Sequence, residues 1–303
     1  MNQTTIQAVF PTVRILEQEP LQYYTYTKIG GNADWLIFPK SIQEVKDVVC
    51  YLKQENIPLT ILGNASNVLI TDEGIRGAVL MLTDMKHIEV TETNVTALAG
   101  DLLAEVTAVA KNHSLTGVEF ACGIPGSVGG AVYMNAGAYG GEVADVIETV
   151  TVLTTMGEIK TYHNNDMKFA YRYSIIQETN DIVLSVSFAL EKGQQEKIAE
   201  KMADLTLQRE SKQPLEYPSC GSVFKRPEGH FTGKLIQAAG LQGLRIGGAE
   251  VSKKHAGFIV NIDGATARDY MDVIHKVQEV VWDTYRVRLE REVRIIGENS
   301  ENE

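Results

Sequence analysis

The sequence is poor in the residues that build disulfide frameworks and metal sites. Its 303 residues include only three cysteines, at positions 50, 122 and 220, with no CxxC pair. This spacing fits a reducing compartment and argues against a disulfide scaffold, so we expect three buried free thiols. The six histidines are scattered without the spacing of metal ligands, and no metal site is predicted.

The chain also lacks an excess of basic charge. Acidic residues outnumber basic ones by 39 to 28, which gives a formal net charge of −11. This balance provides no general attraction for nucleic acid or for an anionic membrane. We therefore expect no nucleic-acid partner, and any anionic ligand must be held by locally placed groups.

Targeting and membrane-spanning segments are not visible either. The first residues, MNQTTIQAVFPTVR, have no basic region, and Pro11 interrupts their short apolar run. An uncharged stretch over 120–141 has membrane-spanning length, but its seven glycines, Pro125 and Asn135 make a poor lipid-facing helix. We expect a cytoplasmic protein that does not bind a membrane.

Several common motifs are missing. No GxGxxG opens a helix, so the usual dinucleotide fingerprint is absent. The segment GHFTGKL over 229–235 has three residues between its glycines where a P-loop has four, and Leu235 stands where Ser or Thr is required. Ser222 lies in CGSVF rather than GxSxG and has no assignable histidine partner. On spacing alone it is a strand or turn hydroxyl.

The elements that are present alternate in the manner of an α+β protein. ADWLIFP, the helical pattern over 41–56 and PLTIL predict a βαβ unit, and a helix over 101–114 has Asp101 as a suitable N-cap. The strands VIETVTVLTT, IKTYH and IVLSVSFAL predict a meander. A patterned helix over 194–212 leads into a compact strand and helix pattern that begins with the strand GSVF and includes a long helix over 266–286.

Two glycine-rich loops, GNASN over 63–67 and GIPGSVGG over 123–130, suggest anion binding. Glycine leaves backbone N–H groups uncrowded and reaches the positive φ angles that turn successive amides into one concavity. Each loop, taken alone, fits a tight turn or close helix packing equally well.

An ordered set of eight motifs is similar to the family of UDP-N-acetylenolpyruvoylglucosamine reductases. They are YTKIGGNADW, ILGNASNVLI, GIPGSVGGAVYMNAGAYGGE, FAYRYS, CGSVFKRP, LIQAAGL, IGGAEVSKKHAGFIVN and LEREVRIIG. The resemblance runs from about residue 20 to 298, and it implies a vanillyl-alcohol-oxidase-type FAD-binding fold with a C-terminal α+β substrate domain. The implied boundaries are 1–208 for the FAD domain, with subdomains of about 1–85 and 86–208, and 209–303 for the substrate domain.

The resemblance implies non-covalent FAD, with both glycine loops around its pyrophosphate and NADPH as the reductant. No histidine or cysteine in the first loop offers an attachment point. The implied cofactor-binding residues are Gly63, Asn64, Ala65, Ser66, Asn67, Gly123, Ile124, Ser127, Gly129 and Gly130. The implied substrate is UDP-N-acetylglucosamine enolpyruvate, and we expect a monomer.

Three residues match the family's catalytic motifs. Arg172 fits the arginine that binds the substrate carboxylate, Ser222 the proton donor to C2, and Glu292 the group that assists the enolate-like intermediate. Without the resemblance, Arg172 would be interpreted as a surface ion-pair residue. Glu292 would be an edge-strand charge that alternates with Arg291.

Four basic residues, Lys212, Lys225, Arg226 and Arg294, match or adjoin family positions that face the substrate. One branch of the family has Asn at the position of Arg226. Only 39 residues separate Arg172 from Lys212, which resembles the shorter variant that lacks a tyrosine-bearing lid over the nucleotide.

Two other functions stay open from the sequence. One is a flavin oxidase that acts on a small hydroxy acid or alcohol. The other is a nucleotide-sugar binding protein without redox activity. A flavin spectrum would exclude the second, and bleaching by NADPH without rapid reoxidation in air would disfavour the first.

Overall fold

A computed structural model describes residues 6–299, so the two ends of the predicted domains, 1–5 and 300–303, lie outside the described residues. The chain forms two units. The first contains residues 6–17, 35–64 and 77–209, and the second contains 18–34, 65–76 and 210–299. Both units mix helices and strands, in agreement with the predicted α+β class. The domain boundaries inferred from the sequence stay a prediction.

Eight α-helices lie within residues 6–299, and none of them is long and apolar enough to cross a membrane. They are α1 (Ile6–Val9), α2 (Ile42–Gln54), α3 (Leu103–Asn112), α4 (Val128–Tyr133), α5 (Ile176–Thr179), α6 (Gln195–Lys212), α7 (Thr232–Ala238) and α8 (Ala267–Tyr285).

The strands of the described residues form six sheets, four of which hold only two or three strands. They are β1 (Arg14–Pro20), β2 (Asn32–Phe38), β3 (Leu59–Leu62), β4 (Val68–Ile70), β5 (Ile75–Met81), β6 (Ile88–Thr91), β7 (Asn94–Leu98), β8 (Leu115–Thr116), β9 (Gly137–Ala138), β10 (Gly141–Glu142), β11 (Ile147–Leu153), β12 (Ile159–His163), β13 (Ile182–Ala189), β14 (Glu191–Lys192), β15 (Arg245–Ile246), β16 (Ala249–Val251), β17 (Ile259–Asn261) and β18 (Arg294–Ile296).

The predicted helix over 41–56 is confirmed as α2. Ser41 caps it, with its hydroxyl accepting the Glu44 N–H at 3.2 Å. Val45, Val48 and Leu52 are buried at helical spacing. The prediction of a buried thiol at Cys50 is wrong, because Cys50 lies on the opposite face of α2 and is exposed.

The strands on either side of α2 are not adjacent. The four-stranded sheet has the order β1-β2-β5-β3, and β3 pairs parallel with β5. The predicted βαβ elements are therefore present, but β5 lies between β2 and β3. From residue 77 onward every residue of β5 is buried, as expected for an interior strand.

The first unit also holds a five-stranded antiparallel sheet in the order β12-β11-β13-β7-β6. The predicted meander is wrong in its last connection, because β13 pairs with β11 rather than with β12. The pattern of burial gives the reason. Strand β12 is exposed at four of its five positions, as is usual for an edge, whereas β13 is largely buried and lies in the interior of the sheet.

Asp101 does not cap α3, contrary to the prediction. The helix begins at residue 103, and Asp101 is buried before it. Its carboxylate accepts the N–H groups of His87 at 3.0 Å and Leu98 at 2.9 Å. Burial raises the pKa of Asp101, although these hydrogen bonds act in the opposite direction. Asp101 therefore holds a loop instead of a helix end.

In the second unit α8 packs on a three-stranded antiparallel sheet, β15-β16-β17. The predicted long helix is confirmed. Thr266 and Asp269 form a capping box, with the Thr266 hydroxyl accepting the Asp269 N–H at 3.0 Å. Buried residues such as Tyr270, Val273 and Val277 recur at helical spacing. Separately, β18 pairs parallel with β4, so the last strand joins a segment from the first quarter of the chain.

The predicted strand GSVF is reduced to two isolated pairings, Ser222 with Phe258 and Phe224 with Arg291. Gly221 has φ +80°, which breaks the strand immediately before Ser222.

Candidate functional site

The first glycine loop presents backbone N–H groups that the protein does not use. Among residues 6–299, no acceptor is found for the amides of Ala65, Ser66 and Asn67. Ala65 has φ +46°, in the left-handed region, and such a residue helps to turn successive amides toward one concavity. Three successive backbone N–H groups without an acceptor in the protein can donate to a bound anion.

This part of the loop is fixed by contacts within the second unit. The Ala65 carbonyl accepts the Tyr26 N–H at 3.3 Å. The Asn67 side-chain Nδ2 donates to the Glu292 carbonyl at 3.2 Å, and the Arg294 N–H donates to the Asn67 carbonyl at 3.1 Å. The loop is thus tied to the segment that carries Glu292.

Gly63 and Asn64 belong to the first unit, where they contact the second glycine loop. A Cβ on Gly63 would lie 2.2 Å from Ser127 Oγ, so the close approach requires glycine. Asn64 Nδ2 donates to the Pro125 carbonyl at 2.6 Å. The structure therefore brings together three of the predicted cofactor residues, Gly63, Asn64 and Ser127.

The paired glycines of the second loop serve close packing. The Gly129 N–H donates to the Ala99 carbonyl at 2.9 Å, and the Gly130 N–H donates to Ser127 Oγ at 3.3 Å. A Cβ on Gly129 would lie 3.0 Å from the Ala99 Cβ. The Gly129 amide is therefore already bonded within the protein, and the predicted role of Gly129 in cofactor binding stays a prediction.

The available donors of this loop lie before α4. Among the described residues, the amides of Gly123, Gly126 and Ser127 have no acceptor. The Ile124 amide donates to the Ala121 carbonyl at 3.0 Å, and its side chain packs against the core of the first unit. Gly126 was absent from the predicted set, although its position in GIPGSVGG was a visible signal.

Arg209, near the end of α6, is a further group beside this loop that was not predicted. A Cβ on Gly123 would lie 2.6 Å from Arg209 Cδ, so the arginine side chain covers the Gly123 backbone. Burial lowers the pKa of the Arg209 guanidinium. No hydrogen bond or ion pair joins it to any of residues 6–299. Arg209 follows the buried Leu205 by four residues, so helical spacing could have indicated that both side chains lie on the same face of α6.

Arg172 lies in the first unit in a strained turn. Its φ is +57°, and its Nη2 donates to the Gly137 carbonyl at 3.2 Å. The guanidinium carbon lies 4.9 Å from the centre of the Tyr171 ring, and Gln177 Nε2 donates to the Arg172 carbonyl at 3.0 Å. These hydrogen bonds hold the turn at Arg172 in its left-handed conformation.

Ser222 and Glu292 are brought together in the second unit. The Glu292 N–H donates to the carbonyl of Val223 at 2.7 Å, next to Ser222 in the chain. The Val223 N–H donates to the Gly257 carbonyl at 3.0 Å. A Cβ on Gly257 would lie 3.1 Å from His255 Cε1 and 3.9 Å from Ser222 Oγ, so the close contact at Gly257 is with the histidine ring. Both Ser222 and Glu292 are partly exposed.

A buried hydrogen-bonded pair lies next to the serine segment. Cys220 Sγ is 3.1 Å from the Tyr270 hydroxyl, which donates to the Ile259 carbonyl at 2.7 Å. Burial raises the pKa of Cys220 to about 11, and the nearby charge of Glu292 adds to this effect. The thiol therefore stays protonated at neutral pH and is no nucleophile.

The four predicted substrate-facing cations all belong to the second unit. Lys212 is exposed at the end of α6, and Arg294 is exposed on β18. Lys225 Nζ lies 3.4 Å from Glu290 Oε2, and Arg226 follows it in the chain. Within residues 6–299, no group of three or more His, Cys, Asp or Glu side chains is placed to hold a metal ion.

Two protein-family models match the chain. One, described as an FAD binding domain, matches residues 33–162, which confirms the predicted flavin fold. The other, described as the C-terminal domain of UDP-N-acetylenolpyruvoylglucosamine reductase, matches residues 213–296.

Curated relatives match over nearly the whole chain. The UDP-N-acetylenolpyruvoylglucosamine reductase of Lactiplantibacillus plantarum is 58% identical over 97% of this chain and 97% of its own length. That of Listeria monocytogenes is 57% identical over 97% and 99%. The crystal structure of the Thermus caldophilus reductase superimposes with a TM-score of 0.80 and 34% identity, covering 93% of this chain and 98% of that one.

Proposed function

The chain belongs to the UDP-N-acetylenolpyruvoylglucosamine reductase family, and from this premise we propose how its residues divide the work of the reaction. The protein is an FAD-dependent reductase that uses NADPH in peptidoglycan precursor synthesis. It reduces the enolpyruvyl group of UDP-N-acetylglucosamine enolpyruvate to give UDP-N-acetylmuramate.

FAD supplies, when bound, the hydride chemistry that no side chain can perform. The run of amides without acceptors at Ala65, Ser66 and Asn67 is the observation that carries the proposal, because it fits an anionic pyrophosphate. The amides of Gly123, Gly126 and Ser127, with the Arg209 guanidinium, provide further donors. The remaining predicted residues, Gly63, Asn64, Ile124, Gly129 and Gly130, shape and support the two loops.

The cofactor is held without a covalent bond in this proposal. Residues 63–67 contain no histidine or cysteine that a flavin could be attached to. Precipitation with acid should therefore release the yellow colour into the supernatant. Colour that stays in the pellet would contradict non-covalent binding.

Arg172, Ser222 and Glu292 are the proposed catalytic residues. The planar guanidinium of Arg172 binds the substrate carboxylate and stabilises the negative charge that develops when hydride reaches C3. The Ser222 hydroxyl, on a partly exposed residue, delivers the proton to C2. Glu292, whose backbone is bonded next to Ser222, assists the enolate-like intermediate.

Residues 209–303 are proposed as the substrate domain, with Lys212, Lys225, Arg226 and Arg294 as its cations. They supply local positive charge on a chain whose net charge is −11. The short connection between Arg172 and Lys212 supports assignment to the variant without a tyrosine-bearing lid. A cytoplasmic location and a monomeric state belong to the same proposal, and size-exclusion chromatography with light scattering tests the latter.

Anaerobic stopped-flow spectroscopy tests the catalytic assignment. Ser222→Ala should leave FAD content and flavin reduction by NADPH unchanged, because neither step uses that proton. Reoxidation by the enolpyruvyl nucleotide should slow by about 10²- to 10⁴-fold, the usual contribution of a general acid. Cys220→Ala is the matched control, and it should reoxidise at the wild-type rate.

Three other outcomes would contradict the proton-donor role or favour one of the two alternative functions. Equal slowing of both half-reactions in Ser222→Ala would contradict the proton-donor role. Wild-type protein that is reduced by NADPH but reoxidised only by oxygen would favour the oxidase. A protein without a flavin spectrum would favour a nucleotide-sugar binding protein.

A further inference from the structure

A histidine side chain takes part in the backbone turn beside Ser222. His255 Nδ1 lies 3.2 Å from the backbone nitrogen of Gly257. A backbone N–H can only donate, so Nδ1 must accept this hydrogen bond and carries no proton. The ring proton of the neutral imidazole is therefore on Nε2.

The turn over 252–258 is closed by further hydrogen bonds among its own groups. The Ser252 N–H donates to the Phe258 carbonyl at 2.9 Å, and the Phe258 N–H donates to the His255 carbonyl at 3.0 Å. The Ser252 hydroxyl accepts the His255 N–H at 3.2 Å. Of these hydrogen bonds and the one from Gly257, only the bond to the His255 ring depends on a titratable group.

This turn holds the segment that carries Ser222. Ser222 pairs with Phe258 in an isolated antiparallel bridge, and the Val223 N–H donates to the Gly257 carbonyl at 3.0 Å. Gly257 therefore binds the Ser222 segment through its carbonyl while its N–H is bound to the His255 ring. A change at the ring would move the backbone on which Ser222 depends for its position.

The His255 ring also lies close to the serine hydroxyl. The position of a Cβ on Gly257 would be 3.1 Å from His255 Cε1 and 3.9 Å from Ser222 Oγ, and a Cβ on Gly233 of α7 would lie 3.9 Å from the same Cε1. The ring packs edge to face against Phe258, with 4.8 Å between the ring centres. The imidazole thus has neighbours on several sides, and a shift of the ring would be transmitted to the surroundings of Ser222.

The protonation state of the ring is set by its burial. The charged side chains on or next to the elements around it are Lys253, Lys254, Lys234, Lys225 and Glu292. No charged side chain of residues 6–299 contributes to the shift in the pKa of His255, which burial lowers from the ordinary value of 6.5. The ring is therefore neutral at pH 7, and Nδ1 stops being an acceptor as the pH falls through the lowered pKa.

We propose that His255 is a positioning residue for Ser222, and that its neutral ring keeps the turn over 252–258 in the form that places the serine hydroxyl for proton transfer. Protonation of the ring sets an Nδ1–H donor against the Gly257 N–H donor and opens the turn. This inference rests on the proposed function, in which Ser222 is the proton donor. It adds a residue that matches no catalytic motif and that acts only through the serine.

Two substitutions separate the hydrogen bond from the bulk of the ring. In His255→Asn the side-chain oxygen can accept the N–H two residues later, as in an Asx-turn, and it does not titrate. His255→Leu keeps an apolar side chain beside Phe258 but has no acceptor. His87→Asn, at an exposed histidine of the first unit, is the control for the loss of a titratable ring.

Anaerobic stopped-flow measurements compare these proteins from about pH 5 to pH 8. At pH 7 the limiting rate of flavin reoxidation by the enolpyruvyl nucleotide should be near the wild-type rate in His255→Asn and about 3- to 10-fold lower in His255→Leu, the value of one hydrogen bond. The half-saturating substrate concentration and flavin reduction by NADPH should stay unchanged in both.

The pH dependence gives the sharper comparison. As the pH falls through the pKa of His255, reoxidation should slow in the wild type and in His87→Asn, because the protonated ring cannot accept. His255→Asn should not show this fall, so at the acid end of the range it should be faster than the wild type. The same fall in His255→Asn, or equal slowing of both half-reactions in His255→Leu, would overturn the assignment.

Nitrogen NMR of the histidine-labelled, FAD-containing protein tests the hydrogen bond without turnover. The His255 signals, identified by their absence from His255→Asn, should show an unprotonated Nδ1 and a protonated Nε2 at pH 7. A protonated Nδ1 at that pH would overturn the proposal. Reoxidation of Ser222→Ala at the wild-type rate would instead contradict the proton donor of the proposed function.

Discussion

The two glycine loops, which the sequence assigns to the same cofactor, use their backbones differently. In the first loop, three consecutive amides, from Ala65 to Asn67, have no acceptor among the described residues. In the second, the paired glycines bond to Ala99 and to Ser127 within their own unit, and the available donors come earlier. The available amides of the first loop thus belong to residues other than glycine, whereas Gly63 and Gly129 are required because another part of the protein approaches them.

The contact of Gly63 with Ser127 gives the largest expected effect. Gly63→Ala would place a methyl group 2.2 Å from Ser127 Oγ, and moving the hydroxyl would remove the cap of α4. We expect a loss of at least about 2 kcal/mol in the free energy of unfolding, from overpacking and the lost cap together. Thermal denaturation and flavin retention measure it.

The double variant sharpens this prediction. Ser127→Ala alone should cost about 1 kcal/mol, the usual value of an N-cap. Adding Gly63→Ala should then cost much less than in the wild type, because the crowded oxygen is gone. Additive losses would show that the two loops do not meet as described.

Gly129 should behave as a packing residue. Gly129→Ala would bring its Cβ to 3.0 Å from the Ala99 Cβ, and we expect about 1–3 kcal/mol of destabilisation. FAD affinity at low temperature, where the variant stays folded, should change little because the Gly129 amide is already bonded to Ala99. A stable variant that has lost flavin would instead support a direct role for this backbone in phosphate binding.

Arg209 tests whether the second loop needs a side chain to hold an anion. Arg209→Met keeps most of the apolar stem over Gly123 and removes the charge. FAD affinity should fall by about 10-fold, the value of one charge-assisted hydrogen bond, without loss of stability of the flavin-free protein. Fluorescence titration of the flavin-free protein measures it, and Arg245→Met, an exposed arginine of the second unit, is the control.

The smallest effect concerns pH. Glu119 is buried just before the second loop, where its carboxylate accepts from Gly117 N and Lys201 Nζ, both at 3.1 Å, and from Thr116 Oγ1 at 2.5 Å. Burial acts to raise the pKa of Glu119, but these hydrogen bonds outweigh it and the pKa lies below the ordinary value of 4.5. As the pH falls, Glu119 is therefore protonated at a higher pH in the unfolded chain than in the folded protein.

The stabilisation from Glu119 is consequently full above about pH 4.5 and is lost as the pH falls through the lower pKa of the folded state. Melting temperatures of the wild type should drop more steeply below that pH than those of Glu119→Gln. The first loop should show no matching effect, since main-chain carbonyls such as those of Glu292 and Pro125 hold it. If the melting temperatures of the two proteins fell in parallel with pH, the ionisation of Glu119 would not be the cause of the acid destabilisation.

Periodicity and end signals predicted the elements that depend on local sequence. Helix α8 was recognisable from its apolar spacing, and Thr266 is followed by Asp269 at the distance of a capping box. A similar signal wrongly predicted that Asp101 caps the helix that follows it. The Asp101 carboxylate instead accepts hydrogen bonds from two loop amides. The order of β11, β12 and β13 depends on which strand buries both faces, and no turn sequence encodes that.

The site residues were predicted from the order of the sequence motifs, but what each residue contacts became visible only in the three-dimensional structure. Composition explained why residues 123–130 need bare backbone, but not that Gly129 faces Ala99 while Gly126 leaves its amide available. Arg209 was missed because it lies on a helix, where a cation usually faces water. Only the tertiary structure shows that it lacks an ion-pair partner among the described residues.

The parallel pairing of β4 with β18 has a consequence for how the protein is made. Residues 68–70 leave the ribosome more than two hundred residues before residues 294–296, the strand they pair with. Until then the Asn67 carbonyl lacks the Arg294 N–H, and a hydrophobic strand edge stays open to other chains. Release of the nascent chain before Arg294 would leave the second unit without this strand, so a late nonsense codon should yield an aggregation-prone product in place of a slightly shortened enzyme.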